Sequence, residues 1–411
     1  MNKDELKRFA EVFVRIGGSV QEGDTVVVTA HLTDAPLVRA VTACAYDRGA
    51  KEVVYHWIDQ DCRRMRYLRA DPETFDEFPP WMVNFYGYYD AKQTVYLRVD
   101  SDDPDLLAGV EEDRIRRDTI CRGHALKNHW GNTMSNRVRW SVAGFPSDKW
   151  AAKVFPGMPL DEAKEKLWQA ILRASRADGG NPIEDWRKHN DNFRTRLDFM
   201  NNKNLASLKF RNALGTDLVI ELPKGHKWLG GKESDAEGRF FNPNIPTEEI
   251  FTVPKRTGVN GRVVSSMPLS YNGVLIEGFE FTFRDGRVAG FKAEKNEQVL
   301  KGLLENDEGA GYLGEVSLVP FDSPINRQGI LYYNTLFDEN ASCHLALGKA
   351  YPINLKGSEA LTPAELIDAG VNDSLIHVDF MIGSEDLNIT GVEADGAETL
   401  VFVDGNFVIN V

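Results

Sequence analysis

The segment DTVVVTAHLTDAPLVRAVTACAYDRGAKEVVYHWI, residues 24–58, determines the architecture of the first half of the chain. Its first seven residues are a short β-branched run, typical of a strand buried on both faces. A helical spacing of apolar residues follows, with Leu37 and Val41 on one face and Gly49 at its end. A second strand begins at Lys51. The order strand, helix, strand predicts a parallel, doubly wound sheet.

The same alternation continues to about residue 204. TVYLRVD, from Thr94, predicts a further strand, and residues 160–200 read as helical throughout, as a connector between two halves of the chain. We therefore expect an N-terminal α/β domain over residues 1–204, with a mostly parallel sheet.

The second half has a different pattern. Alternating apolar and polar runs begin at Ala206, and Asp285-Gly286 between two such runs is a strong hairpin signal. The strongest helical patterns lie at Val299–Glu305 and Asn340–Ala350. We expect an α+β domain over residues 205–411 with a largely antiparallel sheet.

Composition excludes several classes of protein. The 411 residues are 42% hydrophobic and 27% charged, as in ordinary globular chains. The net charge of −14 disfavours nucleic-acid binding. No stretch is apolar for 18 residues, so no membrane span is expected. Four scattered cysteines indicate neither disulfides nor a thiolate zinc site, and the charged N-terminus is unlike a signal peptide. A cytoplasmic protein is expected.

The motif IHVDF, residues 376–380, is the sharpest chemical feature. On a strand, His377 and Asp379 project to one side, so an imidazole and a carboxylate can ligate one ion. Such a pair alone is more often an exposed pair than a metal site.

Residues 337–352, FDENASCHLALGKAYP, form a second candidate. In the predicted helix His344 lies among apolar residues, where a histidine is more often a satisfied core residue than a ligand. Tyr351 is placed where this helix ends, because Pro352 disfavours helical geometry there. Glu339 in the first turn has the simpler reading of complementing the helix dipole.

Two more segments carry acids. LGEVSLVP, residues 313–320, begins a strand with Glu315, which is either a solvated group at a strand edge or a ligand. In NIPTEEIFTVP, residues 244–254, Glu248 and Glu249 point to opposite sides of a strand. At least one of them must be paired or metal-bound, and the residues alone do not choose between them.

Together these segments supply two histidines and several carboxylates. Mixed nitrogen and oxygen donors suit zinc, manganese or cobalt. The number of acids allows a bridging carboxylate, and hence a hydrolytic centre with two metal ions.

These four segments, in this order and at these separations, resemble the aminopeptidase T / aminopeptidase S / PepS family of metalloaminopeptidases. The resemblance extends over nearly the whole chain and is most specific across residues 313–384. It implies hydrolysis of the N-terminal residue of peptides through a water activated by two divalent ions (zinc, cobalt, manganese or magnesium). It also implies homodimers acting on peptides with a free N-terminus.

The resemblance also implies roles for particular residues. It prefers Glu249 over Glu248 as a metal ligand, makes Glu315 the carboxylate that bridges the ions, and makes Tyr351 the catalytic tyrosine. The implied metal ligands are Glu249, Glu315, His344, His377 and Asp379, with Glu339 as a ligand or proton carrier. The implied catalytic residues are Glu315, Glu339 and Tyr351.

The alternative is a nucleotide-binding ligase, or a non-catalytic binding module, built on the N-terminal domain. Nucleotide-binding sheets carry a glycine-rich loop after the first strand. Here HLTDAPLV follows, without a glycine.

Overall fold

The computed structural model describes residues 1–409. The α-helices are α1 (Lys3–Val12), α2 (Ala35–Asp47), α3 (Gln60–Arg69), α4 (Pro80–Asp90), α5 (Glu112–Ala125), α6 (Lys127–Met134), α7 (Asp148–Val154), α8 (Leu160–Ala174), α9 (Pro182–Lys203), α10 (Glu297–Leu304), α11 (Thr335–Asp338) and α12 (Pro363–Asp368).

The strands begin and end as follows: β1 (Thr25–His31), β2 (Glu52–Ile58), β3 (Val95–Asp100), β4 (Trp140–Gly144), β5 (Ser207–Arg211), β6 (Asp217–Glu221), β7 (Leu229–Gly230), β8 (Glu233–Ser234), β9 (Phe240–Phe241), β10 (Asn244–Ile245), β11 (Ile250–Thr252), β12 (Val259–Val264), β13 (Leu269–Tyr271), β14 (Val274–Ile276), β15 (Glu280–Arg284), β16 (Arg287–Lys292), β17 (Leu313–Leu318), β18 (His344–Gly348), β19 (His377–Met381), β20 (Asn388–Val392), β21 (Glu398–Val403) and β22 (Asn406–Phe407).

The chain divides into two compact units. The first contains residues 1–188 and the segment 232–246, and the second contains residues 189–231 and the chain from 247 onward. The division falls inside α9, whereas the sequence placed a boundary at 204/205.

A parallel five-stranded sheet organises the first unit, in the order β10-β4-β3-β1-β2. Val26, Val27 and Val28 of β1 are all buried, which requires cover on both faces of the sheet. The predicted α/β class with a mostly parallel sheet is confirmed. The short β10 pairs with β4 although about a hundred residues separate the two strands along the chain, and no local pattern in the sequence indicates this pairing.

A polar network occupies the carboxyl ends of β1 and β3, where nucleotides bind in doubly wound sheets. The His31 Nε2 lies 2.6 Å from the Asp102 Oδ1, and Arg98 lies 3.2 Å from the other oxygen of Asp102. The Ser101 hydroxyl donates to the fully buried carboxylate of Asp34. These carboxylates oppose a phosphate group, which argues against the nucleotide-binding alternative.

Two antiparallel sheets form the second unit, as the sequence predicted. One has the order β16-β15-β12-β6-β5-β20-β21-β22, and the other β19-β18-β17-β11-β7. The expected turn joins β15 to β16, and both Asp285 and Gly286 have positive φ. The two sheets share one apolar core; for example, the Phe281 and Phe380 rings, one from each sheet, lie 5.1 Å apart.

The predicted helix at Asn340–Ala350 is wrong. Only a single 3-10 turn, Glu339–Ala341, is helical, and the chain then enters β18 between β17 and β19. Every residue of β18 is buried, so no alternation of polar and apolar residues marks it as a strand. His344 therefore begins a central strand instead of lying inside a helix, and Tyr351 follows a strand instead of ending a helix.

In the part of the chain that the structure describes, every helix is too short or too polar to cross a lipid bilayer.

Candidate metal centre

Neighbouring strands of the antiparallel five-stranded sheet in the second unit bring the four sequence motifs together. Glu249 immediately precedes β11, Glu315 lies in β17, and His344 is the first residue of β18. His377 and Asp379 lie on β19 and project to the same side, as predicted from their spacing. The backbone register of these antiparallel strands, and not nearness in sequence, assembles the site.

The first group of side chains is buried. The His344 Nε2 lies 3.1 Å from the Glu249 Oε2 and 3.5 Å from the Glu315 Oε1. Potential ligand atoms of these three residues lie within 4.8 Å of one another. A cation at this place would meet two carboxylates and an imidazole, a donor set that suits zinc or a similar ion.

The second group shares Glu315 with the first. The His377 Nε2 lies 3.8 Å from the Glu315 Oε2 and 3.3 Å from the Asp379 Oδ1. Glu315 thus turns one oxygen toward His344 and the other toward His377. This is the arrangement of a carboxylate that can bridge two ions. The second group is also more open, since 24% of the His377 side chain is exposed against 1% for His344.

Both imidazoles are oriented by backbone carbonyls. The Nδ1 of His344 lies 3.1 Å from the Ser342 oxygen, and the Nδ1 of His377 lies 2.7 Å from the Lys349 oxygen. A carbonyl only accepts, so each Nδ1 carries the hydrogen and donates. Each Nε2 therefore faces the carboxylates, which is how proteins orient histidines for a metal.

Ser317 supports Glu249, and sequence reasoning did not identify it. Its fully buried hydroxyl donates to the Glu249 Oε2 over 2.7 Å. The sequence feature that could have identified Ser317 is its spacing, since it lies two residues after Glu315 on the same strand and therefore on the same face.

The two neighbouring acids of the first motif have separate surroundings. The Glu248 carboxylate lies 3.8 Å from the Nε2 of His189 on α9, and its backbone N–H donates to the Asn340 side chain. The structure thus brings Glu249, and not Glu248, to the cluster.

Glu339 stands beside the cluster rather than within it. It belongs to neither group of residues with ligand atoms close together. Burial raises its pKa well above the usual value, and the charges of Glu249 and Asp379 raise it further. These surroundings favour the protonated form of the Glu339 carboxyl.

The pKa values of the other cluster residues reflect the excess of carboxylates over basic groups in the site. Burial raises the pKa of Glu315. Burial would lower the pKa of both histidines, but the carboxylates prevail, raising that of His344 well above 6.5 and that of His377 to about 9. Burial would raise the pKa of Asp379, but His377 lowers it. The carboxylates of the cluster thus favour positive charge at both imidazoles.

Tyr351 borders the second group without belonging to a strand. Its ring lies 5.1 Å from the His377 ring, edge to face. Burial raises its pKa well above 10, and the neighbouring carboxylates raise it further, so the phenol keeps its proton. Within residues 1–409, no side chain or backbone group hydrogen-bonds to this hydroxyl, which leaves it able to donate to a bound molecule.

Comparison with known proteins identifies relatives over the whole chain. The family model "Thermophilic metalloprotease (M29)" matches residues 2–407. Aminopeptidase 2 of Geobacillus stearothermophilus is 44% identical over 407 residues, covering 99% of this chain and 98% of that protein. Aminopeptidase AmpS of Bacillus subtilis is 43% identical, with 98% of each chain covered.

A solved structure agrees with these sequence relatives. Wild-type AmpT from Thermus thermophilus matches with a TM-score of 0.92 at 37% identity, over 98% of this chain and 99% of that one. The correspondence includes both units and both kinds of sheet.

Proposed function

The chain belongs to the thermophilic metalloprotease (M29) family, and on that premise we propose that this aminopeptidase removes the N-terminal residue of peptides with two divalent cations held by one bridging glutamate. One observation carries the two-ion part of the proposal. Glu315 is common to both groups of potential ligands and turns a different oxygen toward each.

The residues present fit two such ions. Glu249, Glu315 and His344 would hold one cation, and Glu315, His377 and Asp379 would hold the other. Both histidines offer Nε2, because Nδ1 is engaged by a carbonyl. Nitrogen and oxygen donors without cysteine fit zinc, cobalt or manganese. Magnesium is proposed on the resemblance to the family alone, and availability would decide among these ions.

The chain's own groups complete the chemistry. When bound, paired cations lower the pKa of a water molecule and polarise a carbonyl. The Tyr351 Oη donates a hydrogen bond to the oxygen on which negative charge develops at the scissile carbonyl. A Glu339 oxygen takes the proton of the attacking water and passes it to the leaving amine, whose bond to the scissile carbonyl carbon breaks. Glu315 is the alternative carrier, and a less suitable one, because its two oxygens would hold the cations.

The substrates proposed here are peptides with a free N-terminus. We also propose a cytoplasmic location and a homodimer, on the resemblance to the family. A net charge of −14 makes nucleic acid an unsuitable partner. Elution of the purified chain at monomer size in gel filtration at micromolar concentration would contradict the homodimer.

Metal removal tests the function directly. The protein is stripped with a chelator, zinc, cobalt, manganese or magnesium is added back, and amino-acid nitroanilide hydrolysis and bound metal are measured. We expect activity to vanish on stripping and to return as two equivalents per chain bind. Glu315→Gln should bind fewer than two equivalents, whereas Glu308→Gln, at an exposed ion pair with Arg256, should behave as the wild type. Activity that survives complete stripping would refute the metal mechanism.

Replacing Tyr351 with Phe tests the proposed hydrogen-bond donor. Removing one donor of this kind costs roughly 10²–10³-fold in kcat. We expect that loss with metal content unchanged and KM changed little, measured by steady-state kinetics with metal analysis. An unchanged kcat would remove Tyr351 from the mechanism.

A further inference from the structure

The position of Tyr351 is set by the turn that follows it. Pro352–Asn354 form a single 3-10 turn, and the Asn354 backbone N–H donates to the backbone carbonyl oxygen of Tyr351 over 3.1 Å. Since the tyrosine lies in no strand, the sheet register that places the metal-site residues does not fix it.

The Asn354 side chain ties this turn to the sheet. It is 1% exposed, and its Nδ2 donates to the backbone oxygens of Phe251 and Lys227, each at 3.2 Å. The Lys227 backbone N–H donates to the backbone carbonyl oxygen of Asn354 over 2.6 Å. Phe251 belongs to β11, which begins directly after Glu249. A single amide thus joins the tyrosine's turn to the strand that follows a metal-site residue.

Ring packing completes the support. The Tyr351 ring lies edge to face against the Phe251 ring, at 5.9 Å between centroids, and against His377 on another side. Within the described residues 1–409 the hydroxyl itself forms no hydrogen bond, so the turn and these rings are what aim it.

We propose that Asn354 is a positioning residue that aims the Tyr351 hydroxyl at the reacting carbonyl, with Phe251 as its partner. This inference rests on the proposed function of Tyr351. Asn354 acts only through the tyrosine and does not itself contact the substrate. Misplacement of a reacting group by about 1 Å can cost on the order of 10²-fold in rate, so the loss of a buried two-acceptor anchor should be visible in kcat.

A double-mutant cycle on the metal-loaded full chain tests the proposal. Asn354→Ala is made in the wild type and in the Tyr351→Phe variant, and kcat, KM and bound metal are measured for all four proteins. In the wild-type background we expect a fall in kcat of roughly 10–100-fold, with KM and metal content nearly unchanged. In the Tyr351→Phe background the same change should lower kcat by less than about twofold, because the hydroxyl it positions is already absent.

Two further variants keep the test decisive. Asn201→Ala is the matched control, since the Asn201 side chain also makes two hydrogen bonds to the backbone, both to Trp228; it should leave kcat unchanged. If Asn354→Ala does not fold, Phe251→Leu removes the ring support while keeping the amide, and the same dependence on Tyr351 is expected.

The possible failures are distinguishable. An equal loss of kcat in both backgrounds would show that Asn354 acts structurally and would overturn the inference while leaving the proposed function intact. A Tyr351→Phe variant with wild-type kcat would instead refute the tyrosine's part in the proposed function, and the inference with it.

Discussion

Ser317→Ala removes one hydroxyl from the support of the cluster and leaves every potential ligand in place. The Ser317 side chain is fully buried, and its hydroxyl donates to the Glu249 Oε2 over 2.7 Å. Without it, that oxygen keeps the His344 Nε2 at 3.1 Å as a neighbour. The Glu249 carboxylate is then no longer held in one orientation, because the His344 imidazole would itself be a ligand of the cation and could not also fix the carboxylate.

The size of the effect follows from this geometry. A short, buried hydrogen bond to a charged group is worth about 1.5–3 kcal/mol. Loss of groups that orient metal ligands typically weakens metal affinity 10–100-fold, which corresponds to about 1.4–2.7 kcal/mol. The two ranges agree, so we expect zinc affinity to fall by that factor in Ser317→Ala, with a parallel but smaller loss of activity at saturating zinc.

Chelator competition with zinc gives the affinity, and thermal unfolding of the metal-free protein gives the stability. Ser101→Ala is the matched control, because it also removes a buried hydroxyl that donates to a carboxylate, that of Asp34 in the first unit. It should lower stability without changing zinc affinity. A folded Ser317→Ala protein that binds zinc within twofold of the wild type would show that the Ser317 hydroxyl does not orient Glu249 for a metal ion.

Two other perturbations have expected outcomes. In Gly314→Ala the new Cβ would lie less than 3.0 Å from the backbone oxygen of Lys349, which orients His377; we expect a loss of roughly 1–3 kcal/mol in stability and weaker zinc binding, and an unchanged unfolding temperature would contradict this. Burial would raise the pKa of Asp102, but His31 and a neighbouring arginine lower it to about 2. The stability it contributes is therefore present above the unfolded value near 4 and is lost as pH falls toward 2. Asp102→Asn should flatten the urea-unfolding midpoint between pH 4 and 2, and a slope equal to that of the wild type would count against this.

Local chemistry explains which parts of the fold were predictable. Strand β1 is a β-branched run, and the turn at Asp285-Gly286 needs two residues that tolerate positive φ, so both are visible in the sequence. Strand β18 carries no such mark. Strand β18 lies between two other strands and all five of its residues are buried, so they look like any short apolar run.

The site was predictable to the extent that its residues have distinctive chemistry. His377 and Asp379 could be paired by the strand period alone. Glu249 was separated from Glu248 only by resemblance, because the direction of each depends on partners far along the chain. Ser317 and Asn354 were not foreseen, since serine and asparagine are common and their roles arise from contacts with Glu249 and Phe251.

The spread of the cluster over separate strands ties catalysis to the integrity of the sheet. Each ion would add a further link between these segments beside their backbone ladders and shared apolar core, so that resistance to heat rises with metal occupancy. At a hundred times its dissociation constant, one bound ion adds about 2.7 kcal/mol to the free energy of unfolding. Removal of metal would therefore lower the free energy of unfolding of the molecule as well as its activity.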